Sequence, residues 1–241
     1  MGAVLGVFLI WLQVSPSDDA SGVRVTATDG ALSAQIVDGD TRILILNASG
    51  PQDGRSALGK LNRPWEARPA TVIVGADRQN IVEALWEVVQ RLERGQIIVA
   101  GAPGADTDWA LLERYCRDND IDVRFLDSET ILDGPTVAVK IVPALEDASS
   151  GTGSYVEISR GDMSIGVELG SAPSGNRYHL IVANGAVPDA VWRDLQVTTN
   201  REDNPAGIHA ILLDPGDRID IRIQDDALAI RGKAAKRRSR T

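Results

Sequence analysis

One stretch constrains this chain more than any other, Thr71–Leu92, TVIVGADRQNIVEALWEVVQRL. Thr71–Val74 has the β-branched composition of a buried strand and ends at Gly75. A helical period comes next, with Ile81, Ala84, Leu85, Val88, Val89 and Leu92 recurring so that they share one apolar face. Asp77 is placed to cap that helix, its carboxylate accepting the free backbone N–H groups of Gln79 or Asn80. A buried strand feeding a capped helix is half of an α/β unit. The turn between the two is where such folds often carry their chemistry, because helix N-termini point there.

The rest of the chain supplies partners for this unit. QIIVA (96–100), a helix over 106–117 and a strand over 122–125 continue it, predicting a parallel or mixed sheet covered by helices. Before it, VRVTAT, ALSAQIV and TRILIL flank Asp29-Gly30 and Asp38–Thr41, which read as two hairpin turns. Residues 47–70, rich in Gly, Pro and polar groups, read as loop. After Asp133-Gly134 the alternation returns in PTVAVKIVPA, then in SYVEIS and MSIGVEL around Arg160-Gly161-Asp162. YHLIV (178–182) reads as a further strand, PDAVWRDL (188–195) as a short helix, and RIDIRI with ALAIR as a last hairpin. Two β-rich halves with helices predict two sheets packed face to face under outer helices.

Residues 3–14, AVLGVFLIWLQV, carry no charge. As a helix, the first fourteen residues reach about 21 Å, short of a ~30 Å hydrocarbon core. A secretory signal would want a basic start and a small-residue cleavage site, and neither is clear. A core helix is a second reading, but the linker-like Ser15–Gly22 separates the run from the first strand pattern at Val23. A membrane-associated segment, either a short anchor or the end of a longer membrane helix, fits this arrangement better. The organisation predicted is therefore 1–22 as apolar segment and linker, 23–231 as the folded domain, and 232–241 as a basic tail without fixed structure.

Charge narrows the function classes. The chain carries −9, and setting aside Lys233, Lys236, Arg237, Arg238 and Arg240 leaves 20 basic against 34 acidic residues, or −14. A body of that sign repels phosphate backbones unless it has a local basic groove, and the sequence shows none. One cysteine, Cys116, excludes an intrachain disulfide and any cysteine-rich metal site, and its helical setting predicts a buried, inert thiol.

Most short motifs fail on mechanism. Gly54–Lys60 has phosphate-loop spacing, but Leu61 stands where magnesium needs Ser or Thr, and Asn62-Arg63-Pro64 stops the helix that must follow. Gly101-Ala-Pro-Gly104 lacks the third glycine of a dinucleotide turn. Arg160-Gly161-Asp162 is explained as a hairpin turn, and Asn47-Ala48-Ser49 is a glycosylation sequon without context. His179 and His209 belong to no local ligand pair and read as structural strand residues.

Taken together, the elements resemble the metallo-β-lactamase fold, in particular the C-terminal domain of the ComEC competence proteins, over residues 23–231. The family's opening L-D-V-G-Q-G-D-A turn is matched by Ala27–Ala34, and its I-D-x-G strand end by Ile45-Leu46-Asn47-Ala48. Its metal motif T-H-x-D-x-D-H falls on Val74, Gly75, Ala76, Asp77, Arg78, Gln79 and Asn80, where only Asp77 survives. L-L-T-G-D falls on Gly166–Gly170 without the bridging Asp, and V-G-H-H-G on Ile181–Gly185, with Ala183 and Asn184 at the histidines.

The resemblance implies an αββα sandwich, an α/β fold preceded by a short apolar helix. It also implies a membrane setting through residues 3–14, a membrane-channel partner and a role in DNA uptake, leaving direct contact with nucleic acid open. A metal hydrolase needs the replaced ligands to activate water, so the resemblance carries over the scaffold and not phosphodiester cleavage. The positions Gly75, Asp77, Gln79, Asn80, Ala183 and Asn184 are then those of a degenerate motif, with no metal, cofactor or catalytic residue expected. Two rivals stay open. One is a hydrolase with carboxylates such as Asp29, Asp77 or Asp106 at strand–helix turns; the other is an extracytoplasmic binding module whose basic tail meets anionic lipid or nucleic acid.

Overall fold

The computed structural model of the chain describes residues 21–28, 31–61, 68–76, 80–92, 95–103, 107–144, 153–170, 177–184, 187, 193–199, 209–224 and 226–232. The apolar run 3–14 and the tail from 233 lie outside them. Among the described residues no helix is long and apolar enough to cross a membrane.

The chain opens with a meander of β1 (Gly22–Ala27), β2 (Leu32–Asp38) and β3 (Thr41–Ile45), antiparallel throughout. Next come α1 (Pro51–Leu61), β4 (Thr71–Gly75), α2 (Ile81–Val89), β5 (Gly95–Ala100), α3 (Thr107–Asp118) and β6 (Ile121–Leu126). Strands β3 to β6 are mutually parallel, as helix crossovers require. The second sheet is built from β7 (Thr130–Asp133), β8 (Ala138–Val142), β9 (Tyr155–Arg160), β10 (Met163–Glu168), β11 (Tyr178–Val182), β12 (Arg193–Thr198) and β13 (His209–Leu212). The chain then returns to the first sheet with β14 (Arg218–Ile223) and β15 (Leu228–Gly232). The strand orders are β15-β14-β1-β2-β3-β4-β5-β6 and β13-β12-β11-β10-β9-β8-β7.

Strand alternation assigns the faces. Val23, Val25, Ala34, Ile36, Ile45, Ile73 and Ile98 point inward and form one core with Val139, Val156, Ile165, Leu180 and Val182 of the second sheet. The opposite parity, Leu44, Val72, Val74, Ile97 and Val99, packs beneath Ile81, Leu85, Val88, Leu112 and Cys116 of the helices. Strands β3, β4 and β5 are thus buried on both faces, which explains their uninterrupted apolar runs. This is the metallo-β-lactamase-like arrangement, two packed mixed sheets with outer helices, and among the described residues those helices cover the first sheet. Tyr178, Ile181, Ala183 and Val187 form a separate buried cluster.

Three local expectations are corrected. Residues 47–70 are not all loop, because Pro51–Leu61 is helical. Proline suits the first helical position, and Asp53 reaches back to accept the Ser49 N–H at 3.0 Å, a capping bond. Gly54 sits where α1 meets α2: a Cβ there would clash with the Ala84 carbonyl oxygen. The second correction concerns 188–195. Arg193–Leu195 is strand, paired in parallel with β11 and β13, and its Leu195 and Val197 alternate into the core. The third is the cap of α2: Asn80, not Asp77, is the N-cap residue, left-handed at φ 59° and without a side-chain cap bond.

At one end of the sandwich a single carboxylate joins both sheets. Asp38, 1% exposed at the end of β2, accepts Ser21 Oγ at 2.8 Å, Thr136 Oγ1 at 2.5 Å, and the N–H groups of Thr136 and Val137 at 2.9 and 3.1 Å. Thr136 and Val137 precede β8, so the β2–β3 hairpin, the entry to β1 and the second sheet are tied at this point.

Candidate functional site

Register fixes which loops share the other end. Strands β3, β4 and β5 run in parallel and end at Ile45, Gly75 and Ala100, leading into Asn47, Ala76 and Gly101 at one rim. In the second sheet β10, β11 and β12 also run in parallel, ending at Glu168, Val182 and Thr198, with Asn184 and Thr199 just beyond. The two sets meet at the same end, because a Cβ on Gly101 would lie 3.8 Å from the carbonyl of Ala144, which comes just after β8. Val142 of β8 pairs with Tyr155, and Tyr155 pairs with Glu168. The carboxyl-end rim is therefore opposite the Asp38 clamp, and it is where the resembled family gathers its metal ligands.

Of the six positions that the resemblance singles out, Gly75, Asn80, Ala183 and Asn184 are among the described residues. Gly75 ends β4 and offers no side chain. Asp77 and Gln79 lie outside the described residues. Asn80 is exposed at the start of α2. Ala183 is buried, with its N–H donated to the Val197 carbonyl at 3.1 Å. Asn184 is fully engaged through its carbonyl: Oδ1 accepts both the Thr199 N–H at 3.0 Å and the Thr199 hydroxyl at 2.9 Å. Its own N–H is donated to Glu168 Oε2 at 2.6 Å. The ends of β10, β11 and β12 are thus laced by a chain running Glu168–Asn184–Thr199.

Glu168 is a residue that spacing did not single out. It is 3% exposed, and it stands two residues before Gly170, where the family places its bridging Asp. A charged residue closing the strand MSIGVE, on the parity opposite Met163, Ile165 and Val167, was the signal available for it. Its carboxylate serves a backbone N–H as a short, charge-assisted bond.

The donors among the described residues do not make a zinc or iron centre. Such a centre takes three or more imidazole, thiolate or carboxylate ligands converging on a point. Here glycine, alanine and asparagine stand at the described positions, and both lone-pair directions of the Asn184 carbonyl are used by Thr199. Among the described residues no three of His, Cys, Asp and Glu converge to hold an ion. Asp29, Asp77 and Asp106, the carboxylates of the rival hydrolase reading, all lie outside the described residues.

On the same rim Asn47 is fully buried, and neither side-chain polar atom has a hydrogen-bond partner. Burial rules out its use as a glycosylation acceptor in the folded protein. The remaining motifs resolve structurally. His179 Nδ1 accepts the Ser164 N–H at 3.2 Å, bracing β10 against β11. His209 opens β13, 30 residues further along the chain. Arg160–Asp162 is the β9–β10 turn, with Gly161 at φ 55° and Arg160 opposite Met163. Gly54–Lys60 lies inside α1 and forms no phosphate loop. Cys116 is buried in α3, and burial, with Glu113 adding to it, pushes its thiol up to about 11.

No protein-family model and no curated protein matches the chain. Solved structures do match it in the path of the backbone. A single-substitution mutant of the β-hydroxylase CmlA is 13% identical with a TM-score of 0.50, over 92% of this chain and 60% of that one. The metallo-β-lactamase fold protein YhfI from Bacillus subtilis is 12% identical with a TM-score of 0.49, over 75% of this chain and 86% of that one. CmlA from Streptomyces venezuelae, a diiron β-hydroxylase, is 13% identical with a TM-score of 0.44, over 76% of this chain and 45% of that one. The chain thus spans 60% of the length of the CmlA mutant, and identities this low speak to the fold alone. From its own strand order and core, the chain has a metallo-β-lactamase-like fold of two packed mixed sheets.

Proposed function

We propose that this is a non-catalytic, degenerate metallo-β-lactamase-like domain. In this reading it is tethered to a membrane through residues 3–14 and supports a ComEC-like DNA-uptake apparatus by contact with a membrane-channel partner. The observation that carries the loss of catalysis is the Glu168–Asn184–Thr199 chain. Asn184, which the resemblance sets against a metal-binding histidine, instead binds Thr199 and, through its N–H, Glu168, at 2.6 to 3.0 Å. Opening such a chain to admit a metal would cost several hydrogen bonds of about 1 kcal/mol each, more for the charged one. Replacing a histidine by Asn184 and lacing it to its neighbours turns a reactive rim into a fixed surface.

The uncharged run 3–14 leading into a Ser-, Pro- and Asp-containing linker supports the tether. Ser21, where that linker enters the fold, is held by Asp38, so the tether would join the sandwich at a rigid point. The test is turnover of a phosphodiester such as bis-p-nitrophenyl phosphate with Mn, Zn or Fe supplied in turn. The reading expects no rate above the metal-only control. A saturable, metal-dependent rate that falls when Glu168 is replaced by Gln would overturn it.

A further inference from the structure

Four strands close the sheets, β6 and β15 in the first and β13 and β7 in the second, and among the described residues each has no neighbouring strand on its outer side. Ile121–Leu126 (IDVRFL) is the longest of them at six residues, against five in β15 and four each in β7 and β13. An open row of N–H and C=O groups invites another chain, and charge on an edge strand commonly repels it. On β6 the charges are of opposite sign, two residues apart.

The backbone shows which groups face outward. Leu126 turns its carbonyl inward, accepting the Gly101 N–H at 3.0 Å. Backbone groups alternate along a strand, so Asp122 and Arg124 also turn theirs to β5, and Ile121, Val123 and Phe125 turn theirs to the open side. The side chains of those three lie on the helix-covered face, Ile121 buried and the other two partly buried. Asp122 and Arg124 stand on the other face, 54% and 66% exposed, with Arg124 Nε donating to Asp122 Oδ2 at 2.6 Å. An open cleft lined by Glu113, Arg117, Ile121, Asp122 and Val123 runs beside the strand, so α3 leaves this edge uncovered.

We propose that β6 is the seam of a homodimer, two copies pairing antiparallel about a two-fold axis at Val123 so that their first sheets become one. Such an axis sets Val123 opposite its own copy and Ile121 opposite Phe125 of the second copy, which places that ring beside the cleft. These residues carry the outward backbone groups, so their pairs are of the hydrogen-bonded kind and supply about six bonds across the seam. Asp122 falls opposite Arg124 of the second copy, twice over, in the closer non-hydrogen-bonded pairs. Apolar residues meet apolar ones and acid meets base, in phase with the backbone. An axis at Asp122 or Arg124 would set like charges together and turn the wrong backbone groups to the seam, which fixes the register. The other edges lack this self-complementarity: LAIRG and TILD each carry charge of one sign, and HAIL has neither acid nor Lys or Arg. The seam uses no rim residue, so it stands or falls apart from the non-catalytic reading.

The experiment is light scattering on a sizing column with the full chain in non-ionic detergent, read as the mass of the protein component. The expected mass is twice that of one chain. Asp122→Arg and Arg124→Asp, each alone, set like charges opposite one another and should raise the dissociation constant about tenfold or more. An equimolar mixture of the two variants pairs an all-basic strand with an all-acidic one and should restore the dimer, as should both exchanges in one chain. Circular dichroism checks that the single variants fold. Hydrogen exchange of the unaltered chain needs no variant: the amides of Ile121, Val123 and Phe125 should exchange slowly in concentrated solution and faster on dilution. A single-chain mass at every concentration up to about 100 μM would overturn the proposal. So would a dimer indifferent to both single reversals, a mixture of folded variants that stays monomeric, or exchange at those amides that ignores dilution.

Discussion

Replacing Asp38 by Asn tests whether one buried carboxylate holds the two sheets together. The carboxylate accepts four hydrogen bonds, two from hydroxyls and two from backbone N–H groups, at 2.5 to 3.1 Å. An amide can keep its oxygen toward the N–H groups of Thr136 and Val137 while its NH2 turns to the two hydroxyls, which can rotate to accept. What disappears is the charge assistance, about 1 kcal/mol for each of four bonds, less some relaxation. The expected loss is about 2–4 kcal/mol at pH 7, or very roughly 6–12 °C in Tm for a domain of this size. The pH dependence gives a second handle. Burial pushes the carboxyl pKa up, but donors from Thr136, Ser21 and Val137 outweigh it and leave it below the usual 3.8. A group whose folded pKa is depressed lends stability that is fully present above its unfolded pKa and lost as pH falls through the folded one. The gap between the two proteins, measured by urea denaturation, should therefore stay constant from pH 5 to 8 and narrow below about pH 4. A variant within 0.5 kcal/mol of the parent at pH 7, or a gap that fails to narrow between pH 5 and pH 3, would refute the reasoning.

Two glycines in one helix should respond with opposite signs. Gly54→Ala drives a methyl against the Ala84 carbonyl and should cost about 2–3 kcal/mol as α1 and α2 part, whereas Gly59, with nothing within 4 Å, should gain about 0.5–1 kcal/mol as Ala. Thermal denaturation of both variants decides it, and equal shifts would contradict the packing described. Cys116 should stay unreactive toward a disulfide reagent at pH 8 in the native protein and react fully in guanidinium; prompt native labelling would show α3 to be looser than its burial implies.

How far the sequence could be read depended on whether the signal was local. The β4–α2 unit was legible because strand composition and helical period both sit within 22 residues, and the Gly161 and Asp38–Thr41 turns because their chemistry is self-contained. Helix α1 was hidden by Gly54 and Gly59, and Gly54 serves a contact with α2 that propensity cannot register. The first residues of the strand at 193–198 fell within the helix read over 188–195, because the strand's pairing with β11 and β13 is long-range. Short β7 and β13 gave too little pattern to stand out. The clamp was illegible for the same reason of distance, Asp38 and Thr136 being 98 residues apart. On the rim, the absence of histidine at the positions the resemblance singles out was visible in the sequence, but the chain linking Glu168, Asn184 and Thr199 was not, since its members come from three strands or their ends.

The most direct test of the central claim is the metal content of the purified full chain, measured by mass spectrometry after growth with zinc, iron and manganese. The account predicts far less than one equivalent of any of them per chain, unchanged by Glu168→Gln. One or two equivalents that survive dialysis and vanish in that variant would contradict it.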